Sequence, residues 1–270
     1  MIVADFKIIA FFCLEYQLEH PKNSENTPRK PISSMGFLQN VNWLIFFLLI
    51  GCFLIALLLD RAVTDQLTNW PETERAFFAT LARLGESDWM LIPTLTVWVF
   101  AQVLGLSSLN YTMRWVVRST GLMSGFIFLS VGLPGMVAAI LKVAIGRARP
   151  MLMDDVGILH FTPFAGDWRF AGFPSGHATT AFALAWALYF LFGPRVTIVF
   201  FGAFLLSLSR IVDNVHYFSD VVAGVTLGTI GAIWVQQQFQ KRGGIFRAYK
   251  KRQQNRLLLP FKRLRRRFGA

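Results

Sequence analysis

Two histidines in this chain stand beside small sets of anion-binding residues. His177 follows Pro174, Ser175 and Gly176 and opens a long apolar run, while His216 lies six residues after Arg210 and four before Asp220. A serine at a helix start can cap it, and a glycine lets the backbone come close to a ligand. The free amides of a first helical turn form an anion site that a histidine in that turn can reach. In the second cluster, one helical turn separates His216 from Asp220. At that spacing a carboxylate can hold one ring nitrogen and leave the other to attack or to move protons. A third cluster holds Lys142, Arg147, Arg149 and Pro150. Lys142 and Arg149 are two turns apart on one face if the helix reaches that far.

Each cluster alone has an ordinary explanation: cations that snorkel at a span end, a capped turn, or an aspartate cap beside a solvated histidine. Charged groups at a membrane edge are costly, however, and usually functional. Three cations (Lys142, Arg149, Arg210), free helix amides, two histidines and a carboxylate together describe a site for phosphoryl transfer. Asp154, Asp155 and Asp213 have no familiar metal-loop spacing and read as loop residues.

The elements that position these residues are membrane helices. Hydrophobic residues make up 54% of the 270 residues and charged ones only 16%, and the apolar residues cluster in runs, which points to lipid as the solvent. Six apolar segments are expected to span: 41–59, 89–106, 122–145, 178–192, 196–208 and 221–235. Asp60 and Arg61 should end the first, and Gly132, Pro134 and Gly135 should kink the third. The last three reach full length only if flanking polar residues enter the helices. After Pro71, a short helix with Phe77, Phe78, Leu81 and Leu84 on one face reads either as lying in the interface or as a small soluble cap, with Gly85 as its stop. Residues 1–40 form an N-terminal segment with a linker at 20–34, residues 41–237 the membrane domain, and residues 238–270 a basic tail. Cys13 and Cys52 read as structural, with no disulfide.

The net charge of +12 resides in that tail: from Lys241 onward there are twelve Lys or Arg and no acid, and the remaining charges balance. Basic residues directly after an apolar segment read as a cytoplasmic anchor on anionic lipid or, equally, as a merely solvated tail. No nucleic-acid reading module accompanies them. With six spans, a cytoplasmic tail places the 107–121 connection with Arg114 and Arg118 inside. The acidic 60–88 loop, the 146–176 loop and the 211–219 bend then lie outside, so all three clusters share one face.

The runs Lys142–Arg149–Pro150, Pro174–Ser175–Gly176–His177 and Ser209–Arg210–His216–Asp220 together resemble the three-part signature of the type 2 phosphatidic acid phosphatase superfamily. Order and spacing match at every signature position. The resemblance implies an all-α integral membrane protein of about six helices in a bundle with an outer-face active site. It implies that Lys142, Arg149 and Arg210 hold phosphate oxygens, with Ser175 and the Gly176 amide adding hydrogen bonds. His216 would be the nucleophile, oriented by Asp220, and His177 would protonate the leaving group. No cofactor or metal is implied; fixed cations would do the work of Mg²⁺. The expected substrate is a lipid phosphate or diphosphate: phosphatidic acid, phosphatidylglycerol phosphate, undecaprenyl diphosphate or a lipid A phosphate. A bacterial inner membrane is the expected location. Two other functions would use the same residues: a lipid phosphotransferase, and a vanadate-dependent haloperoxidase, against which the apolar spans argue. The complete signature argues against a non-enzymatic lipid-binding protein with a degenerate site.

Overall fold

The computed structural model describes residues 35–68, 70–83, 85–105 and 110–241, with side chains from residue 50 onward. The expectations for residues 1–34, Cys13 and the tail beyond Lys241 lie outside the described residues. The protein is an all-α integral membrane protein. Its helices are α1 (Met35–Thr68), α2 (Glu72–Arg83), α3 (Asp88–Gly105), α4 (Tyr111–Ile145), the single turn α5 (Met153–Val156), α6 (Gly176–Phe192), α7 (Ile198–Val212) and α8 (Phe218–Lys241). Three segments among the described residues are long and apolar enough to cross a membrane: one within Glu72–Gly105, then Tyr111–Ile145 and Phe218–Lys241. Apolar side chains face outward along them, as lipid permits, including Ile92, Phe100, Ile140 and Ile230.

Several boundaries differ from the sequence reading. Helix α1 does not stop at Asp60 and Arg61 but runs on to Thr68. The reason lies on its inner face, where Ala56, Asp60 and Thr64 recur at one-turn spacing and are all buried. Asp60 finds partners there and has no need of water. Helix α4 begins at Tyr111, so Arg114 and Arg118 lie in its first turns and not in a loop, and its helical conformation continues through Pro134. Helix α8 reaches 24 residues by taking in Ser219 and Asp220 at one end and Gln236 to Lys241 at the other. In α2, Phe78 and Leu81 are partly covered, Ala82 is buried and Phe77 is exposed. Cys52 is free and exposed.

Helix α6 is the centre of the bundle. It packs on α8, α4 and α7 and buries a row of small side chains: Ala178, Thr179, Thr180, Ala181, Ala183, Ala185 and Ala187. Small residues let helix backbones approach closely where lipid supplies no hydrophobic drive. On α8 the matching positions are Gly224 and Gly228. A Cβ at Gly224 would collide with the Ser175 carbonyl, and one at Gly228 with the Thr179 carbonyl. The α6–α8 spacing is therefore fixed by backbone contact beside two of the three clusters.

Replacement of Gly228 by Val should overpack this contact and cost about 1–3 kcal/mol. We expect a lower thermal unfolding midpoint in detergent, and an unchanged midpoint would refute the proposed spacing constraint.

Candidate active site

The site forms where α4, α6, α7 and α8 end against the 146–176 loop. Gly146 ends α4 in the left-handed conformation (φ 64°), its amide bonded to the Lys142 carbonyl at 3.0 Å. Lys142 and Arg149 consequently do not share one helix face, because the chain is already extended at Arg149. Backbone bonds on both sides hold this extended stretch. Ala148 N donates to His160 O (2.9 Å), Arg149 N to Arg169 O (2.9 Å), and Gly172 N to Arg147 O (2.9 Å).

The loop returns the predicted residues to one place. Lys142 Nζ donates to Ala171 O at 3.1 Å, and its Cε would sit 3.6 Å from a Cβ at Gly176. Ser175 begins α6, and its amide donates to the Asp220 carbonyl at 2.9 Å, so the second and third clusters are bonded through their main chains. Its hydroxyl does not cap the helix. Arg210 keeps a 3.4 Å contact with Asp213. The guanidinium of Arg149 lies over the Trp168 ring, 4.9 Å from its centroid. Burial, then the neighbouring Arg210, lower the pKa of Arg149 from its ordinary value, a sign that like charges are held together.

Five buried side-chain polar atoms among the described residues lack a partner, and three of them are Ser175 Oγ, Arg149 Nε and Arg210 Nε. A buried group without a hydrogen bond costs about 1–3 kcal/mol. Unsatisfied donors beside mutually repelling cations suit an anion with several acceptor oxygens, such as a phosphate.

His216 is 2% exposed, and its Nδ1 lies 2.6 Å from the Gly172 carbonyl oxygen. A carbonyl only accepts, so Nδ1 carries the hydrogen and Nε2 keeps its lone pair. This differs from the expected Asp220 contact, whose Oδ2 is 3.8 Å from Nδ1. Helix α8 begins only at Phe218, which leaves His216 outside it. The Asp220 carboxylate is committed to Arg147 Nη1 (2.5 Å) and to the Tyr217 amide (2.9 Å). Burial first, then Lys142, Arg149 and Arg210, push the His216 pKa well below 6.5, against the opposing bond to Gly172. His177 is within electrostatic reach of Arg210, His216, Lys142 and Arg149.

Several residues near the site carry no part in the chemistry expected from sequence. Arg147 is 1% exposed and bonds Asp60 (2.9 Å), Asp220 and Ser219 (2.7 Å). Its charge signalled function, but only the fold shows that it faces two carboxylates and not the anion donors. Gly172 approaches the backbone so closely that a Cβ there would come 2.9 Å from the Arg147 oxygen; no sequence pattern marks it. Gly85 lies against the His177 ring, where a Cβ would be 2.7 Å from Cδ2, so the turn after α2 reaches the site. Phe173 packs edge-on against Phe53, and Phe170 near His160. Among the described residues no three His, Cys, Asp or Glu side chains gather as metal ligands would. A cavity of about 350 Å³ lined by Thr64, Asp65, Pro150, Asp154 and Asn214, among others, includes none of the residues expected to bind phosphate or to catalyse.

The PAP2 superfamily profile matches residues 124–244, a stretch that contains all three clusters. A lipid A 1-phosphatase of Rhizobium etli is 34% identical over 187 residues, covering 67% of this chain and 78% of the relative. The chain belongs to the PAP2 superfamily. A second relative, a lipid A 1-phosphatase of Rhizobium johnstonii, is 34% identical over 172 residues, covering 62% of this chain and 68% of the relative. The crystal structure of a transmembrane PAP2-type phosphatidylglycerolphosphate phosphatase from Bacillus subtilis aligns with a TM-score of 0.51 at 21% identity, over 76% of this chain and 97% of that one. This last likeness concerns the fold alone. The PAP2 match begins within α4, so α1, α2 and α3 lie before it.

The depressed pKa has a direct consequence. The His216 ring should stay neutral as pH falls through 6.5, where an ordinary histidine takes up its proton. In protein labelled at histidine nitrogens, its resonances should not titrate between pH 8 and pH 6, and a midpoint near 6.5 would contradict the burial described.

Proposed function

We propose that this PAP2 protein is a lipid phosphate phosphatase that removes the 1-phosphate of lipid A through a phosphohistidine at His216, without a metal ion. The observation that carries the chemistry is the gathering of Lys142, Arg149, Arg210 and unpartnered buried donors beside a buried histidine with a free Nε2. In this reading the three cations, Ser175 Oγ and the Gly176 amide take the equatorial phosphate oxygens, where charge must be stabilised in the transition state. The Nε2 lone pair forms the P–N bond as the bond from phosphorus to the lipid oxygen breaks. His177, protonated beside the bound anion, gives its proton to that oxygen. Water then attacks phosphorus, His177 takes a water proton, and the P–N bond breaks to release inorganic phosphate. Asp220 acts through position, fixing the Tyr217 amide next to His216.

Two relatives named as lipid A 1-phosphatases support the choice of lipid. The membrane setting suits a substrate whose tails stay in the bilayer while its phosphate enters at the helix ends. Six spans (α1, α3, α4, α6, α7 and α8) and a cytoplasmic basic tail on anionic lipid would put the site on the outer face of a bacterial inner membrane.

A phosphate-release panel over purified lipids in detergent tests the substrate: lipid A 1-phosphate should be preferred over phosphatidic acid, phosphatidylglycerol phosphate and undecaprenyl diphosphate. His216→Ala should lower kcat by at least about 10³-fold, as loss of a nucleophile does, and unchanged turnover would exclude the nucleophile assignment. Chelators should leave the rate intact; a strict metal requirement would refute that part of the proposal.

A further inference from the structure

Asp60 lies on α1, outside the PAP2 match and 159 residues from Ser219, yet its carboxylate is joined to the proposed nucleophile by an unbroken set of bonds. Its Oδ2 accepts from Arg147 Nη2 at 2.9 Å and from Ser219 Oγ at 2.6 Å, and its Oδ1 accepts from the Ser219 amide at 2.8 Å. Asp60 is 0% exposed. Arg147 passes the constraint on in two ways. Its side chain holds Asp220, which in turn holds the Tyr217 amide next to His216. Its carbonyl accepts from the Gly172 amide, and the Gly172 carbonyl sets the Nδ1–H tautomer of His216. Both routes converge on one imidazole.

Charge explains why the aspartate is needed. Asp220 bonds the Nη1 edge of this buried guanidinium at 2.5 Å, and without Asp60 the Nη2 edge would keep no carboxylate. With Asp60 on the other edge, the guanidinium is shared between two carboxylates, and Ser219 Oγ donates to Asp60 while accepting from Arg147. The guanidinium also lies over the Tyr217 ring, 4.5 Å from its centroid, so a change in its position moves the residue adjoining His216.

We propose that Asp60 is a positioning residue for the phosphatase reaction, holding Arg147 so that His216 Nε2 is aimed at the phosphorus. This rests on His216 being the nucleophile, as set out under the proposed function. The hydrogen bonds of Asp60 go to Arg147 and Ser219 and not to the phosphate-binding side chains, so its loss should impair turnover and spare anion binding.

The test uses the full chain in detergent, with orthovanadate as the probe that counts competent anion sites. Asp60→Asn should keep the number of vanadate sites per chain and hold KM within about two-fold of the parent, while kcat per site falls at least ten-fold. A role in folding alone would remove sites and leave kcat per site unchanged, and that outcome would overturn the proposal. If Asp60→Asn binds no vanadate, Ser219→Ala gives the reading, because it removes one bridge without changing charge. Its kcat per site should fall at least three-fold; an unchanged value would overturn the proposal equally. Failure of the parent reading is distinguishable, since it would show as full turnover in His216→Ala whatever Asp60→Asn does.

Discussion

The neutralisation of one buried guanidinium governs much of this structure. Arg147 sits where water does not reach, and such a charge persists only when paired and hydrogen-bonded. Burial works to lower its pKa, but Asp220 and Asp60 outweigh burial and hold it above the ordinary arginine value. Removing one partner of a buried pair costs about 3–5 kcal/mol, because the other is left uncompensated. The arrangement therefore ties together α1, the 146–176 loop and the start of α8. The same residue supplies the backbone carbonyl that accepts the Gly172 amide, so charge balance and loop geometry are satisfied together.

A second constraint comes from the helices themselves. In lipid, close packing must come from shape, and the small side chains of α6 against Gly224 and Gly228 supply it. The contacts at these glycines are with the carbonyls of Ser175 and Thr179, at the site end of α6. Rigid packing thus lies directly under the residues proposed to bind phosphate, in keeping with the small tolerances of a preorganised site.

Much of the candidate site was legible because its residues come in short local runs. Lys142 to Arg149, Pro174 to His177 and Arg210 to Asp220 each read as a unit, and the fold brings the units together. What the sequence did not yield was long-range. Asp60 at the end of an apolar run looked like a helix stop, since its partners are 87 residues away or more along the chain. The histidine's hydrogen bond was assigned to Asp220 on helical spacing, yet the helix starts two residues after His216 and a carbonyl from another loop takes that role. Gly172 carries no local mark, because its need for a bare Cα arises from strands of chain that meet only in the folded state. Span lengths erred for a related reason. Asp60, Ser219 and Asp220 look like boundary residues until their shared bonds to Arg147 allow them inside helices.

The place of α1 in this network bears on how the protein could be divided or transplanted. A fragment cut to the segment the family profile recognises would contain every motif residue and still lack Asp60. Its Arg147 would face Asp220 alone. Chimaeras that exchange the first helix between relatives should therefore be judged by whether the donor helix presents a carboxylate at this depth, since motif completeness would not reveal the defect. The inheritable unit of this site is larger than its signature.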